Sequence, residues 1–187
     1  MEEEVDRGDR VLILGGARAG KSDFAIHLAA QMEMSGPGSV CFIATAEALD
    51  DEMRQRIARH RSERSPQWIT IEEPIHLDAA VRRAAGTSVI VVDCITLLTS
   101  NWMLRTDRQS GMIEELSAAV DNALALAAAS SQTLIFVSNE VGLGLVPDTP
   151  LGREFRDTLG RINQRLAHAA DTVYFLVAGL PIRIKPR

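Results

Sequence analysis

The sequence predicts one α/β domain built on a mainly parallel sheet with helices on both faces, and three observations carry that prediction. Short apolar runs of strand formers alternate with longer helix-patterned runs along nearly the whole chain, the signature of repeated βαβ units. One strand-to-helix junction carries Gly15, four residues, then Gly20, Lys21 and Ser22, the P-loop spacing G-x-x-x-x-G-K-[ST]. The 187 residues, 46% of them hydrophobic, suit a single core, and no repeat, low-complexity stretch or linker divides them. Residues 11–187 therefore read as the domain, and the acidic residues 1–10 as a short frayed extension.

The first strand is Val11 to Leu14, which delivers the chain into the loop. Gly15, Gly16 and Gly20 permit backbone torsions that let successive N–H groups converge on phosphate oxygens, with Ala17, Arg18 and Ala19 completing the cradle. Lys21 places a cation at the β/γ-phosphates, and Ser22 offers a hydroxyl to Mg²⁺ at the positive end of the helix that starts there. A Gly-rich turn that only joins strand to helix is the bland alternative. The complete pattern between an apolar strand and a helical run favours nucleotide binding.

Along that helix Phe24, Ala25, Leu28, Ala29 and Met32 share one face, His27 lies off it, and Ser35-Gly36-Pro37-Gly38 ends it. Ser39 to Ala44 is a buried strand. Leu49 to Arg64 reads as a helix with acids in its first turn and bases in its last, as the helix dipole favours. Arg56, His60 and Arg64, four apart, share a face with Arg59 and Arg61 beside them: either a solvated charged face or a phosphate-holding cluster around a lone histidine. Trp68 to Glu72 alternates like a strand, and Ile75 to Ala85 is helical up to Gly86.

Val89 to Asp93 is a strand that ends in a carboxylate, the form of the second magnesium motif of P-loop proteins. Asp93 would then sit at the ligand-binding edge of the sheet, unless it only caps the next helix. Ile95 to Leu104 and Met112 to Ala129 are helices, Thr133 to Ser138 a strand, and residues 139–144 a polar, Gly-rich turn at the same edge. Leu151 to Ala169 is a helix with His168 outside. Thr172 to Val177 is a strand on which Leu180 to Lys185 pairs back across Ala178-Gly179.

Composition narrows the partners. A net charge of −5, with one Tyr, two Trp and five Phe, offers neither a basic stripe nor a stacking platform for nucleic acid, so a small-molecule substrate fits better. Cys41 and Cys94 lie in apolar strand-like runs without metal-ligand spacing, reading as buried free thiols in a reducing cytoplasm. No apolar stretch is long enough to span a membrane, and the amino terminus is acidic where a secretory signal is basic and then apolar.

Taken in order, residues 15–22, 43–61, 91–98, 138–147 and 160–185 resemble the bifunctional adenosylcobinamide kinase and adenosylcobinamide-phosphate guanylyltransferase family of cobalamin biosynthesis, over almost the whole chain after residue 10. The resemblance implies a RecA-like P-loop domain, trimeric in some members, with two reactions. ATP or GTP phosphorylates the aminopropanol hydroxyl of adenosylcobinamide. GTP then gives its GMP to a histidine, releasing pyrophosphate, and the GMP passes to adenosylcobinamide phosphate to make adenosylcobinamide-GDP. The resemblance assigns the nucleophile to His60, and nucleotide contacts to Ala44, Thr45, Ala46, Arg61, Ser62, Glu63, Arg64, Glu72 and Asp93 besides the P-loop. It also sets Lys21, and Ser22 and Asp93 with Mg²⁺, on the phosphates in both reactions. A neutral imidazole is competent for such a transfer through a phosphoramidate. The chain departs from the family pattern with Arg59 where some members have a second histidine, Ala19 where serine is common, and Asp93 where some have glutamate. A kinase of another small alcohol, or a RecA-like nucleotide switch, are the alternative functions that a bare P-loop leaves open.

Overall fold

A computed structural model describes residues 5–34, 39–48, 50–105 and 111–186, the side chains of Glu52 and Arg56 excepted. The elements in chain order are β1 (Arg10–Gly15), α1 (Lys21–Met34), β2 (Val40–Ala44), α2 (Asp51–Ser62), β3 (Ile69–Glu72), α3 (Leu77–Arg83), β4 (Val89–Asp93), α4 (Ile95–Leu104), α5 (Met112–Ala129), β5 (Thr133–Val137), α6 (Pro150–Ala169), β6 (Thr172–Val177) and β7 (Leu180–Lys185). The strands form one sheet in the order β3-β2-β4-β5-β1-β6-β7, parallel throughout except for the β6–β7 hairpin. Ala178 and Gly179, both at positive φ (51° and 83°), supply the two-residue turn whose twist matches that of paired strands.

The predicted layering holds, unevenly. β2 and β5 are buried at every position because helices cover both faces. On one face Leu12, Ile43, Val92 and Phe136 pack against residues of α3, α4, α5 and α6. On the other, Val11, Ile13, Phe42 and Val91 pack against α1 and Trp68. The order β4-β5-β1 sets the carboxyl ends of these three strands side by side, so Asp93, the turn after β5 and the P-loop share one edge.

Several boundaries differ from the sequence reading, each for a local reason. β3 starts at Ile69, not Trp68, whose indole N–H leaves the strand to donate to Glu33 at 2.8 Å. α3 starts at Leu77, not Ile75, because the Glu73 carboxylate accepts from the N–H groups of Ile75 and His76 and holds a turn there. α2 stops at Ser62, with Glu63 as its C-cap, so Arg64 does not continue the face of His60. Cys94 is the N-cap of α4 and not part of a strand. The predicted helix stop at 35–38 and the Leu49 start lie outside the described residues. Of the extension, residues 1–4 are likewise outside, while Asp6 and Gly8 bond Thr133, and Arg10 opens β1 with a bidentate pair to Asp171. His27 and His168 are exposed, as expected.

Candidate active site

The P-loop is fixed by backbone geometry. Gly15 adopts φ 153°, and a Cβ there would lie 2.7 Å from the carbonyl oxygen of Leu176 on β6, so no side chain fits. Gly20 adopts φ 88° and Arg18 φ 58°, both left-handed, which turns the loop back on itself. The Gly15 carbonyl accepts from Glu140 N–H at 3.0 Å, the Ala19 carbonyl from Gly179 N–H at 3.1 Å, and the Gly16 carbonyl from Ala19 N–H at 3.3 Å. Gly16, Ala17 and Arg18 form the exposed rim. Lys21 is only 7% exposed, and its ammonium donates across the loop to the Gly16 carbonyl at 2.6 Å.

Asp93 stands opposite. Burial raises its carboxyl above the usual range, opposed by a hydrogen bond with Ser22 and by the charges of His60, Arg64 and Lys21. The capping alternative fails, since Cys94 occupies the N-cap of α4 and no side chain bonds there. Thr45 holds the chain around Asp93. Its N–H donates to the Asp93 carbonyl at 3.1 Å, and its hydroxyl donates to the Cys94 carbonyl at 2.7 Å while accepting the Cys94 N–H at 2.8 Å. With that hydroxyl engaged and the residue fully buried, Thr45 presents no side-chain atom to a ligand. Ala44 is buried beside it and Ala46 half-buried. The Cys41 and Cys94 thiols are free and pushed up to about 11 by burial, so neither supplies a thiolate at neutral pH.

The third component is the end of α2. The His60 side chain is 24% exposed, with Nδ1 buried and 3.4 Å from Glu63 Oε2, short of hydrogen-bond geometry. Arg64 folds back over the sheet, its guanidinium carbon 3.4 Å from the centroid of Phe42. Burial lowers its pKa and Asp93 opposes the shift, while its buried Nε has no partner among the described residues. Lys21, Ser22, His60, Arg64 and Asp93 are thus brought together. Arg61 and Glu72 instead form an exposed pair at 3.9 Å at the margin, and the Ser62 hydroxyl turns back to the Arg59 carbonyl at 2.7 Å.

The Ser22 hydroxyl and the Asp93 carboxylate are hard oxygen donors already in mutual reach, the kind of set Mg²⁺ takes. No group of three or more His, Cys, Asp or Glu suited to a metal occurs among the described residues, and no described helix is long and apolar enough to cross a membrane. Sequence reasoning missed Phe42 as the seat of Arg64, and Asn101, which donates from α4 to the carbonyls of Thr45 at 2.8 Å and Pro74 at 3.1 Å. An amide in the uncharged helix Ile95–Leu104 was the available signal.

Comparison with known proteins gives the family and the fold. The sequence profile of the family described as cobinamide kinase / cobinamide phosphate guanyltransferase matches residues 11–184. Proteins called bifunctional adenosylcobalamin biosynthesis protein CobU are 35% identical in Escherichia coli (strain K12) and 37% identical in Salmonella typhimurium, each match covering 94% of this chain and 99% of the relative. The protein CobP of the same description in Pseudomonas aeruginosa is 42% identical over 94% of this chain and 97% of its own. Among solved structures, the flagellar accessory protein FlaH of Methanocaldococcus jannaschii superposes with TM-score 0.58 at 16% identity, covering 100% of this chain and 82% of that one. A second solved structure, an ATPase domain, superposes with TM-score 0.55 at 15% identity, covering 92% and 70%. These two show the RecA-like P-loop ATPase fold alone.

Proposed function

The chain belongs to the cobinamide kinase / cobinamide phosphate guanyltransferase family, and from that premise we propose how its residues divide the two reactions. The enzyme phosphorylates adenosylcobinamide and transfers GMP from GTP to adenosylcobinamide phosphate. One observation carries the assignment: Lys21 from α1, His60 from α2 and Arg64 all act on Asp93 at one edge of the sheet.

In the kinase step the P-loop amides and Lys21 hold the β- and γ-phosphates of ATP or GTP. The acceptor hydroxyl oxygen attacks the γ-phosphorus, the bond to the β-phosphate oxygen breaks, and the hydroxyl proton is released. Catalysis of this kind is mostly positioning and charge neutralisation. Ser22 and Asp93 would hold Mg²⁺, which supplies Lewis-acid neutralisation of phosphate charge when bound.

In the guanylyl step, with Nδ1 buried against Glu63, attack falls to His60 Nε2. A nitrogen–phosphorus bond forms at the α-phosphorus of GTP as the bond to pyrophosphate breaks. Glu63 receives the Nδ1–H hydrogen bond as the ring becomes positive, and Arg64 neutralises the equatorial oxygens. A phosphate oxygen of adenosylcobinamide phosphate then attacks the same phosphorus and the ring leaves, restoring neutral His60. Arg61, Glu63, Arg64 and Glu72 form the basic and acidic border of the nucleotide, with Ala44 and Ala46 as backbone wall. Thr45 acts through the backbone it holds. A trimer in the cytoplasm completes this reading, supported by the resemblance, by the free thiols, and by the uncovered apolar hairpin where Leu180 is 69% and Ile182 51% exposed.

The deciding experiment is intact-protein mass after incubation with GTP and Mg²⁺. A GMP-sized, acid-labile and base-stable increase in wild type and its loss in His60→Ala are expected. Absence of the adduct from wild-type protein that demonstrably binds nucleotide overturns the histidine mechanism and leaves a kinase or a switch.

A further inference from the structure

The nucleotide chemistry above leaves one built feature unused. A cavity of about 480 Å³ lies between α6 and the turn after β5. Its floor is Leu14, so it opens on the face of the sheet opposite to Arg64 and Phe42. One backbone bond ties it to the P-loop, because Glu140, which lines it, donates its N–H to the Gly15 carbonyl. Arg156 enters from the first half of α6, and its buried Nη1 has no hydrogen-bond partner among the described residues. A guanidinium nitrogen removed from water without a partner is costly unless something supplies an acceptor. Arg161, Asp157, Asn163 and Gln164 line the same space, so two cations face two carboxylates around two amides.

That balance selects the ligand chemistry. A phosphate would be repelled by Glu140 and Asp157, and a metal ion by the two arginines. A neutral carboxamide, whose carbonyl accepts and whose NH₂ donates, satisfies both sets. Beside the cavity, the connection from β5 to α6 holds Leu143 80%, Leu145 96% and Val146 64% exposed, with Leu151 42% exposed at the start of α6, a cluster that marks a binding surface rather than a solvated loop.

We infer that the cavity and this apolar connection form the acceptor site: one amide-terminated arm of the corrinoid enters and accepts from Arg156, while the macrocycle lies on Leu143, Leu145 and Val146. This rests on the corrinoid kinase and transferase reading above. It suits the cavity's size, which admits an arm and not a tetrapyrrole-sized ring. It also leaves the aminopropanol arm next to the P-loop.

The test is equilibrium binding of adenosylcobinamide to the full chain, for wild type, Arg156→Ala and the surface variant Leu145→Asp, with GTP-dependent GMP adduct formation measured in parallel. Arg156→Ala is expected to raise the Kd about tenfold, as loss of one hydrogen bond to a charged group does, and Leu145→Asp to raise it at least as much by setting a charge against an apolar ring, both with wild-type adduct formation. Wild-type affinity in both variants overturns the site. So does wild-type protein that forms the adduct but binds no adenosylcobinamide. Absence of both adduct and corrinoid phosphorylation in wild type overturns the functional reading itself, and this inference with it.

Discussion

On the proposed division of the chemistry the P-loop and α2 supply one half each, and they are built in opposite ways. The loop is held at several points by backbone bonds to β6–β7 and to the turn after β5, and its lysine is almost fully buried. None of the described side chains of α2 is buried. The helix is secured by its Asp50 cap, by the exposed Arg61–Glu72 pair, and by Arg64 on Phe42 just past its end. A phosphate clamp used in both reactions gains from rigidity, since misplacement by an ångström is expensive. His60, the proposed nucleophile, has a different task. It must reach the α-phosphorus in one reaction and stay clear of the γ-phosphorus in the other. Elements of low local stability are the ones that move at least cost.

The largest effects should separate the halves. Lys21→Ala is expected to lower both corrinoid phosphorylation and GMP-adduct formation by about 10³-fold or more, since one group stabilises charge in both transition states. His60→Ala should abolish the adduct while phosphorylation stays within about tenfold of wild type. Measuring both rates in both variants checks the division. Loss of phosphorylation in His60→Ala would merge the two halves into one.

Next come substitutions that weigh rigidity directly. Gly15→Ala pushes a Cβ to 2.7 Å from the Leu176 carbonyl, a backbone atom that cannot turn away. Together with its positive φ, this should cost about 2–3 kcal/mol in urea denaturation. Arg59→Ala, on the exposed surface of α2, should change stability by less than about 0.5 kcal/mol. Equal losses would mean that α2 is as firmly seated as the loop.

Asp93 joins the two halves, and its titration gives the sign of a third effect. Burial holds its folded pKa above the unfolded value of 3.8, so ionisation opposes folding. The penalty is absent below pH 3.8, develops as pH rises through the folded value, and is complete above it. Asp93→Asn should therefore raise the Tm at pH 7, with the gain shrinking toward pH 4, and at the same time remove Mg²⁺-dependent activity. A lowered Tm at pH 7 would show that the carboxylate is stabilising as it stands.

The same contrast explains what could be read in the sequence. β4, α4 and α5 fall where periodicity set them, and the P-loop was legible because its chemistry is local: eight adjacent residues carry the geometry. His60 stood out only as a histidine among arginines. Its meeting with Asp93 depends on the strand order, which brings β2 and β4 together across the 44 residues between Ala44 and Val89 and leaves no mark in local spacing. Arg64 was placed on the helical face of His60, whereas the C-cap at Glu63 releases it onto Phe42. Thr45 was assigned to the nucleotide by resemblance, and its hydroxyl is engaged by Cys94.

A smaller effect than that at Gly15 tests how the rigid half is supported from behind. Asn101 lies one layer away from Asp93: its amide N–H groups donate to Thr45, which in turn bonds the backbone on both sides of the Asp93–Cys94 peptide. Asn101→Ala removes two donors and leaves the Thr45 and Pro74 carbonyls without them, which should cost about 1–2 kcal/mol. Asn101→Asp should cost more than alanine despite its closer shape, because a carboxylate would point lone pairs at two carbonyl oxygens. Urea titrations of the two variants decide the order. If the aspartate is the milder change, the side chain serves as a spacer and not as a donor. If alanine is milder, hydrogen bonding from α4 is what sets the position of the strand end that presents Asp93 to the P-loop.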